Sequence, residues 1–350
     1  MRLFSTEQVS KYHPDKFADQ ISDAILDACL AQDPHSRVAC ECMVKDTTVI
    51  LAGEITTKAK VDYDKVARRV AKKLGYEVYT VLVRIDTQSP EIAGGVGDGE
   101  EMGAGDQGMM YGYATRETES RLPFGFDLAN RIIKAIEDNV ENDPDTVFKG
   151  DAKCQVTVDL DAPPTMESVK KVLVSVCHKA EKLAAAKVAV YRILEDLGVP
   201  NWVEVIVNPA GSWTIGGPIA DCGLTGRKIV CDQYGGYCPV GGGAFSGKDP
   251  SKVDRSGAYM ARFIACDLLK YHKMLEWVEV QIAYAIGRAE PMSVSVSCNM
   301  PECNEILAKE VMECYDLTPS GLIKTLELLR PNYEELAEGC HYRERRMTNG

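Results

Sequence analysis

Apolar residues near the start of the chain recur every four positions, which is the spacing of one helix face. The series consists of Phe17, Ile21, Ile25 and Cys29. It predicts an amphipathic helix that follows the tetrapeptide HPDK at residues 13–16. Aspartates recur on this segment at the same spacing, and a solvated helix face is the simplest interpretation of Asp23 and Asp27. Asp15 differs, because it stands beside His13 at the helix entrance, a place that suits a metal or an anion.

Alternating apolar and polar positions with the period of a strand follow. Strands are predicted at residues 37–44, 48–55, 78–85, 154–160, 169–177, 202–207, 229–231, 278–286 and 293–297. Helical spacing returns at residues 63–74, 128–140, 180–197, 258–270, 304–315 and 319–329. This order predicts an α+β fold of three similar β-rich subdomains, with helices on one face of each sheet. We expect their limits near residues 1–114, interleaved with later segments, 115–230 and 231–350.

Composition and charge exclude several classes of function. The 350 residues are 45% hydrophobic and 26% charged, and the net charge of −12 argues against a nucleic-acid surface. No apolar run is long enough for a membrane span, and the first residues lack the apolar core of a signal peptide. The thirteen cysteines are scattered without a C-x-x-C pair. We therefore expect reduced thiols and a cytoplasmic protein.

The stretch GGGAFSGKDPSKVDRS, residues 241–256, combines close-packed glycines with alternating cations and aspartates. Glycines let backbone N–H groups approach a ligand, and interleaved Lys and Asp suit a polyanion carried with a divalent metal. The spacing of a P-loop is present up to Lys248. However, Asp249 stands where a P-loop needs a hydroxyl, and Pro250 removes an N–H. The stretch predicts a phosphate site of another kind, with a solvated surface turn as the simpler alternative.

Other segments add isolated polar groups in unusual settings. GAGDQG surrounds Asp106 with glycines, and DCGLTGRK places Asp221 ahead of an Arg-Lys pair. Glu41 and Glu54 interrupt strands that are otherwise apolar. Such a carboxylate needs a cation, a ligand ammonium or a metal, unless it faces solvent at a strand end. The polar, glycine-rich residues 88–99 have the composition of a mobile loop, and a loop of this kind beside a site is often a lid.

Taken together, HPDK, GAGDQG, DCGLTGRK and GGGAFSGKDPSKVDRS resemble the S-adenosylmethionine synthetase family over nearly the whole chain, from Leu3 to about Tyr342. The resemblance implies transfer of the adenosyl group of ATP to the sulfur of L-methionine. It also implies release of tripolyphosphate and its cleavage to phosphate and pyrophosphate. The implied fold has three β-rich subdomains around a pseudo-threefold axis. The implied assembly is a homodimer with active sites between the subunits, or a tetramer, and the implied cofactors are two Mg²⁺ ions and K⁺.

Position by position, the resemblance assigns roles to individual residues. The implied catalytic residues are His13, Lys153, Arg227 and Lys248. The implied methionine contacts are Glu54, Gln88, Asp106, Asp221 and Lys252. The implied ATP contacts are His13, Asp151, Lys153, Ser212, Trp213, Asp221, Arg227, Lys228, Ala244 and Lys248. The implied metal ligands are Asp15 and Asp254 for magnesium and Glu41 for potassium.

The chain departs from the family pattern at several positions. Glu-Gly is usual where Lys11 and Tyr12 stand, Lys is usual at Thr87, and Arg-Phe is usual at Ser212 and Trp213. The span before residue 88 is also shorter than usual. These departures motivate a second hypothesis, a weakly active member that binds ATP or S-adenosylmethionine as a regulatory or partner-dependent subunit. A third is an unrelated ATP-dependent kinase or ligase, which would release ADP or AMP.

Overall fold

The computed structural model describes residues 1–87 and 102–343. Its strands are β1 (Leu3–Val9), β2 (Arg37–Lys45), β3 (Thr48–Thr56), β4 (Thr80–Asp86), β5 (Gly108–Thr115), β6 (Phe148–Asp159), β7 (Val169–His178), β8 (Glu204–Val207), β9 (Gly223–Leu224), β10 (Trp277–Tyr284) and β11 (Ser293–Cys298). Its helices are α1 (Pro14–Leu30), α2 (Tyr63–Lys73), α3 (Phe124–Asn142), α4 (Leu183–Asp196), α5 (Gly217–Ala220), α6 (Ile229–Asp232), α7 (Val253–Tyr271), α8 (Asn304–Cys314), α9 (Pro319–Thr325) and α10 (Tyr333–Leu336).

The first sheet has the strand order β4-β3-β2-β9. Alternate residues of β2, including Val38 and Cys40, are fully buried and pack against α1. The intervening residues point to the other face, where Glu41 of β2 lies opposite Ala52 of β3 and both are exposed. One face of this sheet therefore belongs to the core, and the other is open in the single chain.

The other two sheets follow the same plan. The second has the order β1-β6-β7-β8 and packs against α3 and α4, while the third has the order β11-β10-β5 and packs against α7. One apolar core lies under the second sheet, and a larger one joins α1 and α7 between the first and third sheets. The expected α+β fold with helices on the sheets is confirmed. The sheets mix early and late segments, so the proposed subdomain limits stay a prediction.

Helix α1 corrects one expectation from the sequence. A solvated face was expected at Asp23 and Asp27, but Asp23 is fully buried and Asp27 is half-buried. The reason is that α1 is covered on several sides, by the first sheet, by α2 and by α10. Spacing along the chain shows which residues share a helix face, but it does not show what packs on that face.

Two other expectations were wrong, and one strand was missed. Residues 229–231 were predicted as a strand, but they lie in the short helix α6, because an apolar triplet does not distinguish the two structures. The helix predicted at 319–329 ends at Thr325. Strand β1 was not predicted, and its partner β6 is far away in sequence. Among the described residues, no helix is long and apolar enough to cross a membrane.

Candidate active site

The HPDK motif forms the amino-terminal cap of α1. His13 has extended backbone geometry, and its Nδ1 accepts the backbone N–H of Asp15 at 3.1 Å. Pro14 occupies the first helical position, where the missing N–H costs nothing. The His13 side chain is 3% exposed. Because Nδ1 acts as an acceptor, the neutral ring carries its proton on Nε2.

His13 is held in this neutral form by its surroundings. Burial, together with the ammonium groups of Lys228 and Lys153, lowers the pKa of His13 to about 3, against the opposing effect of Asp15. The imidazole is therefore a hydrogen-bond donor at neutral pH and carries no charge. Lys153 itself is exposed and lies in β6.

Asp15 connects the cap to the loop that carries the Arg-Lys pair. Its Oδ2 lies 2.5 Å from Lys228 Nζ, and its Oδ1 accepts the N–H of Leu224 at 3.0 Å and lies 3.8 Å from Arg227 Nε. Burial would raise the pKa of Asp15, but Lys228 and the Leu224 N–H together bring it below its ordinary value. This carboxylate thus stays charged while 2% of its side chain is exposed.

Asp151 lies on another side of the cluster around His13 and Asp15. Its Oδ2 accepts the N–H of Gly217 at 2.7 Å, while its Oδ1 is buried without a hydrogen-bond partner among the described residues. Burial raises the pKa of Asp151 to about 6, although the Gly217 N–H and Lys153 oppose this change. A buried, unsatisfied carboxylate oxygen is costly and is typical of a surface that receives a ligand. Asp221 is exposed and lies near enough to act on the charge of His13.

Ser212 and Trp213 are held by a histidine that the sequence analysis did not single out. His178 Nε2 lies 3.2 Å from the backbone N of Trp213 and 3.3 Å from Ser212 Oγ. The indole N–H of Trp213 donates to the carbonyl of Ile215 at 2.7 Å. Neither residue carries a charge that would replace the arginine usual in the family, but Trp213 presents a fixed aromatic ring.

The glycine-rich stretch forms the second half of the site. Lys248 Nζ lies 2.6 Å from Asp254 Oδ2, and both side chains are about one fifth exposed. Gly243 packs against this carboxylate, since a Cβ built on it would lie 2.1 Å from Asp254 Cγ. Lys252 pairs with Asp249 at 2.6 Å. Arg255 is completely buried and pairs with Asp23 of α1.

The two halves meet where their loops touch. A Cβ built on Gly226, which has φ +77°, would lie 2.5 Å from the Cβ of Ala244. Gly226 directly precedes Arg227, and Ala244 lies in the glycine-rich stretch. The structure therefore brings the Arg227 loop against the stretch that leads to Lys248.

Three further predicted carboxylates lie next to the glycine-rich half of the site. Ala39, which pairs with Glu54 across β2 and β3, bridges to Lys248, and Gly108, two residues after Asp106, packs against Asp254. Glu41 and Glu54 are exposed on the open face of the first sheet, and Asp106 is exposed just before β5. The described contacts do not join these three carboxylates to His13. Gln88 and the predicted lid at residues 88–99 lie outside the described residues.

Lys11 and Tyr12, the two departures from the family pattern beside HPDK, are both buried. The ring of Tyr12 fills the space next to Gly150, where a Cβ would lie 2.6 Å from the ring. Lys11 is 6% exposed, forms an ion pair with Glu141, and lies 3.6 Å from Glu338 Oε2. The contacts of His13 and Asp15 described above do not involve these two side chains.

Comparison with known proteins agrees with the motifs. Family models for the three domains of S-adenosylmethionine synthetase match in order: the N-terminal domain at residues 1–93, the central domain at 101–213 and the C-terminal domain at 215–349. An S-adenosylmethionine synthase of Mycoplasmopsis synoviae (strain 53) is 42% identical over 356 residues, covering 97% of this chain and 92% of that protein. An S-adenosylmethionine synthase of Brachyspira hyodysenteriae (strain ATCC 49526 / WA1) is 41% identical over 367 residues, with the same coverage.

These matches confirm the activity that the motifs implied, which is synthesis of S-adenosylmethionine by adenosyl transfer from ATP to methionine. They give no support to the regulatory alternative or to a kinase or ligase. With all three domains matched and two fifths of the residues shared with named relatives, the chain belongs to the S-adenosylmethionine synthetase family.

Proposed function

We propose that the adenosyl transfer takes place at the cluster around His13 and Asp15. The observation that carries the proposal is the convergence of lysines and an arginine on these two residues. Lys228 and Arg227 approach Asp15, Lys153 acts on the charge of His13, and the loop before Lys248 touches the Arg227 loop. A triphosphate fits this set, since it is a concentrated polyanion.

The adenosyl transfer requires little proton transfer by the protein. The thioether sulfur of methionine attacks C5′ of ATP, an S–C bond forms, and the C5′–O bond breaks with its electron pair going to tripolyphosphate. Sulfur has no proton to lose, so no general base is needed. Rate enhancement then comes from alignment of sulfur with C5′ and from stabilisation of the leaving oxyanion. Water subsequently cleaves tripolyphosphate to phosphate and pyrophosphate.

His13 suits the leaving oxygen. Its low pKa makes it a neutral donor, and Nε2–H is free of the cap contact that Nδ1 makes. We assign it a hydrogen bond to the C5′ oxygen, strengthened as charge develops there. Lys153, Arg227 and Lys248 disperse the rest of that charge, and Lys228 and Ala244 complete the phosphate contacts.

The two carboxylates proposed for Mg²⁺ fit a metal that arrives with the triphosphate. Asp15 and Asp254 each form an ion pair with a lysine. Among the described residues, no group of three His, Cys, Asp or Glu side chains is placed to hold a metal ion. Mg²⁺ in nucleotide sites is usually held by one or two carboxylates together with phosphate oxygens. Asp15 and Asp254 would hold the metal, which would supply positive charge to neutralise the phosphates. We assign K⁺ to the exposed carboxylate of Glu41.

We assign the remaining residues to contacts with the adenosine part of ATP and with methionine. We assign the ring of Trp213 to adenine, with Ser212 beside it, and we assign a nucleotide contact to Asp151, whose Oδ1 is buried without a partner among the described residues. The sulfonium product is positive and is favoured near Asp106 or Asp221. Methionine contacts are assigned to those two aspartates together with Glu54, Gln88 and Lys252.

The open face of the first sheet supports a homodimer. It carries exposed Leu82 and Ala52, with Ile50 between Leu82 and Met43 in the strand register. These apolar side chains lie among charged ones such as Glu41, and an exposed apolar patch rimmed by polar residues often marks a protein–protein interface. A second copy placed here would bring its own Glu41 and Glu54 to the interface, as expected for active sites shared between subunits. Pairing of dimers into tetramers remains the alternative assembly.

A reducing compartment is consistent with the cysteines. All thirteen are free thiols, and most are buried. Burial raises the pKa of Cys154 and Cys40 strongly, so that these thiols are unreactive. We therefore propose a cytoplasmic location.

One incubation tests the proposed function. Purified protein is mixed with ATP, methionine, Mg²⁺ and K⁺, and the products are identified by mass spectrometry and phosphate analysis. S-adenosylmethionine with equal phosphate and pyrophosphate is the expected result. ADP or AMP among the products would contradict the assignment, as would ATP binding without turnover.

A further inference from the structure

The four aspartates of α1 form one line of carboxylates along the helix. Asp15, Asp19, Asp23 and Asp27 recur every four residues, so they stack on one face. The first three are almost completely buried. We call these four residues the carboxylate ladder. The mechanism above uses only Asp15, and the other three have no assigned role in it.

Each member of the ladder below Asp15 accepts backbone N–H groups from a different segment. Asp19 Oδ1 accepts from Gly226 at 2.8 Å, and Asp23 Oδ1 accepts from Gly247 at 2.8 Å. Asp27 accepts from Tyr333 and Glu334, both at 2.9 Å. Two of these segments are the phosphate-facing loops. The third is the start of α10, which the reaction does not use.

The two anchored glycines directly precede the cations of the site. Gly226 is followed by Arg227, and Gly247 is followed by Lys248. Both glycines have positive φ, +77° and +80°, and a Cβ on Gly247 would lie 1.9 Å from the carbonyl oxygen of Cys40. The backbone is therefore fixed at the glycine directly before each cationic residue.

Cations inside the protein compensate the charge of the ladder. Lys16 Nζ lies 3.0 Å from Asp19 Oδ2 and 2.6 Å from Asp232 Oδ1. Arg255 Nη2 lies 2.7 Å from both oxygens of Asp23. Buried ion pairs usually add little net stability over an apolar packing, because their desolvation is costly. Fixed geometry is the better explanation for placing them here.

We propose that Asp19 and Asp23 are positioning residues that hold the Arg227 and Lys248 loops at fixed positions along helix α1. Because α1 also carries His13 and Asp15, all these groups then share one rigid frame around the triphosphate. Small displacements of a charged group from a reacting centre reduce catalysis strongly. The inference rests on the proposed function for the role of Arg227 and Lys248, but the anchoring itself does not.

Asp19 is the better residue to change. Removing Asp23 would leave Arg255 buried without its carboxylate partner, which endangers folding. Removing Asp19 leaves Lys16 paired with Asp232. Asp19→Ala deletes the acceptor for Gly226, whereas Asp19→Asn keeps an acceptor oxygen without the charge. Asp27→Asn is the matched control, because it alters the same ladder at a segment outside the site.

The experiment combines hydrogen–deuterium exchange with ATP kinetics, at a temperature where circular dichroism shows each variant folded. In Asp19→Ala we expect faster exchange of the peptide at residues 223–228 and a much smaller change at 244–249, where Ala244 contacts Gly226 but Asp23 still holds Gly247. We expect kcat/KM for ATP to fall about ten- to hundredfold, as for loss of a charged hydrogen bond. Asp19→Asn should give a smaller loss, and Asp27→Asn should leave kcat/KM within about twofold of wild type.

Equal acceleration of exchange at both loops would overturn the proposal, because it indicates general loosening. An unchanged kcat/KM in Asp19→Ala would overturn it as well. If Asp19→Ala does not fold, the same comparison is made with Asp19→Asn, and a wild-type exchange pattern and rate in that variant would refute the idea. A wild-type protein that makes no S-adenosylmethionine would contradict the proposed function instead, and the exchange pattern would still test the anchoring.

Discussion

Lys248 and Asp254 form a close ion pair, with Nζ 2.6 Å from Oδ2, at the junction of the glycine-rich stretch and the first turn of α7. Each side chain is only about one fifth exposed, so the pair is partly shielded from water. In the proposed site, a triphosphate carried with Mg²⁺ would offer both members a new partner, phosphate for the ammonium and the metal for the carboxylate. The ion pair would then hold each group near its proposed ligand before substrate binds.

Lys248→Ala should therefore lose most of its turnover. One preorganised charge on a leaving group is worth about 2 to 4 kcal/mol in the transition state, and kcat should fall by the corresponding factor. Steady-state kinetics with saturating ATP measures the effect. Lys134→Ala is the control, because Lys134 is exposed on α3 and forms its ion pair with Asp138 of the same helix. A Lys248 variant with the wild-type kcat would remove this residue from the mechanism.

Asp15→Asn should raise the Mg²⁺ concentration needed for half-maximal activity. The substitution removes one proposed anionic ligand of the metal and the carboxylate oxygen that lies 2.5 Å from Lys228 Nζ. Titration of Mg²⁺ at fixed ATP, compared for wild type and variant, measures the shift. We expect the variant to need at least severalfold more metal, as for loss of a carboxylate ligand. Identical titration curves would show that Asp15 acts only through Lys228 and His13.

The sequence predicted the large elements well because their periodic patterns are local. Helix α1 and strands β2 and β3 were each recognisable within one segment, and their observed limits lie close to the predicted ones. Strand β1 was not recognised, and among the described strands it pairs with β6, which is far away in sequence. The carboxylate of Asp23 was assigned to solvent because its partner, Arg255, lies in another motif.

The site was predictable to the extent that it consists of motifs. HPDK and DCGLTGRK each contain residues that the structure joins, such as Asp15 and Lys228. Contacts across motifs needed the fold, including Gly226 against Ala244 and His178 behind Trp213. No local signal marked His178, since a single histidine at a strand end is compatible with many roles. Roles of individual site residues in the reaction stay predictions.

Trp213→Ala should weaken ATP binding. Stacking of a base on an aromatic ring is worth about 1 to 3 kcal/mol, so the dissociation constant should rise roughly five- to hundredfold. Calorimetric titration with ATP, in the absence of methionine, measures it. Trp202→Ala is the control, because Trp202 is 67% exposed at the edge of the second sheet. Equal affinities of wild type and Trp213→Ala would place adenine elsewhere.

Ile50→Glu should prevent formation of the proposed homodimer. Ile50 lies on the open face of the first sheet, paired with Met43 on one side and Leu82 on the other. A charge placed in the apolar centre of an interface is desolvated without a partner. Sedimentation velocity measures the assembly. Gln155→Glu, on an exposed position of β6, is the control. A dimeric Ile50→Glu protein would locate the interface on another surface.

Asp27→Asn should alter how stability depends on pH. Burial raises the pKa of Asp27 to about 6, although the N–H groups of Glu334 and Tyr333 oppose this change. In the unfolded chain the pKa is about 3.9, so the folded protein holds the proton more tightly between those values. Stability therefore falls as pH rises through that window. The variant stays neutral throughout, so its thermal midpoint relative to wild type should rise from about pH 4 to about pH 6. A pH-independent difference would contradict the raised pKa.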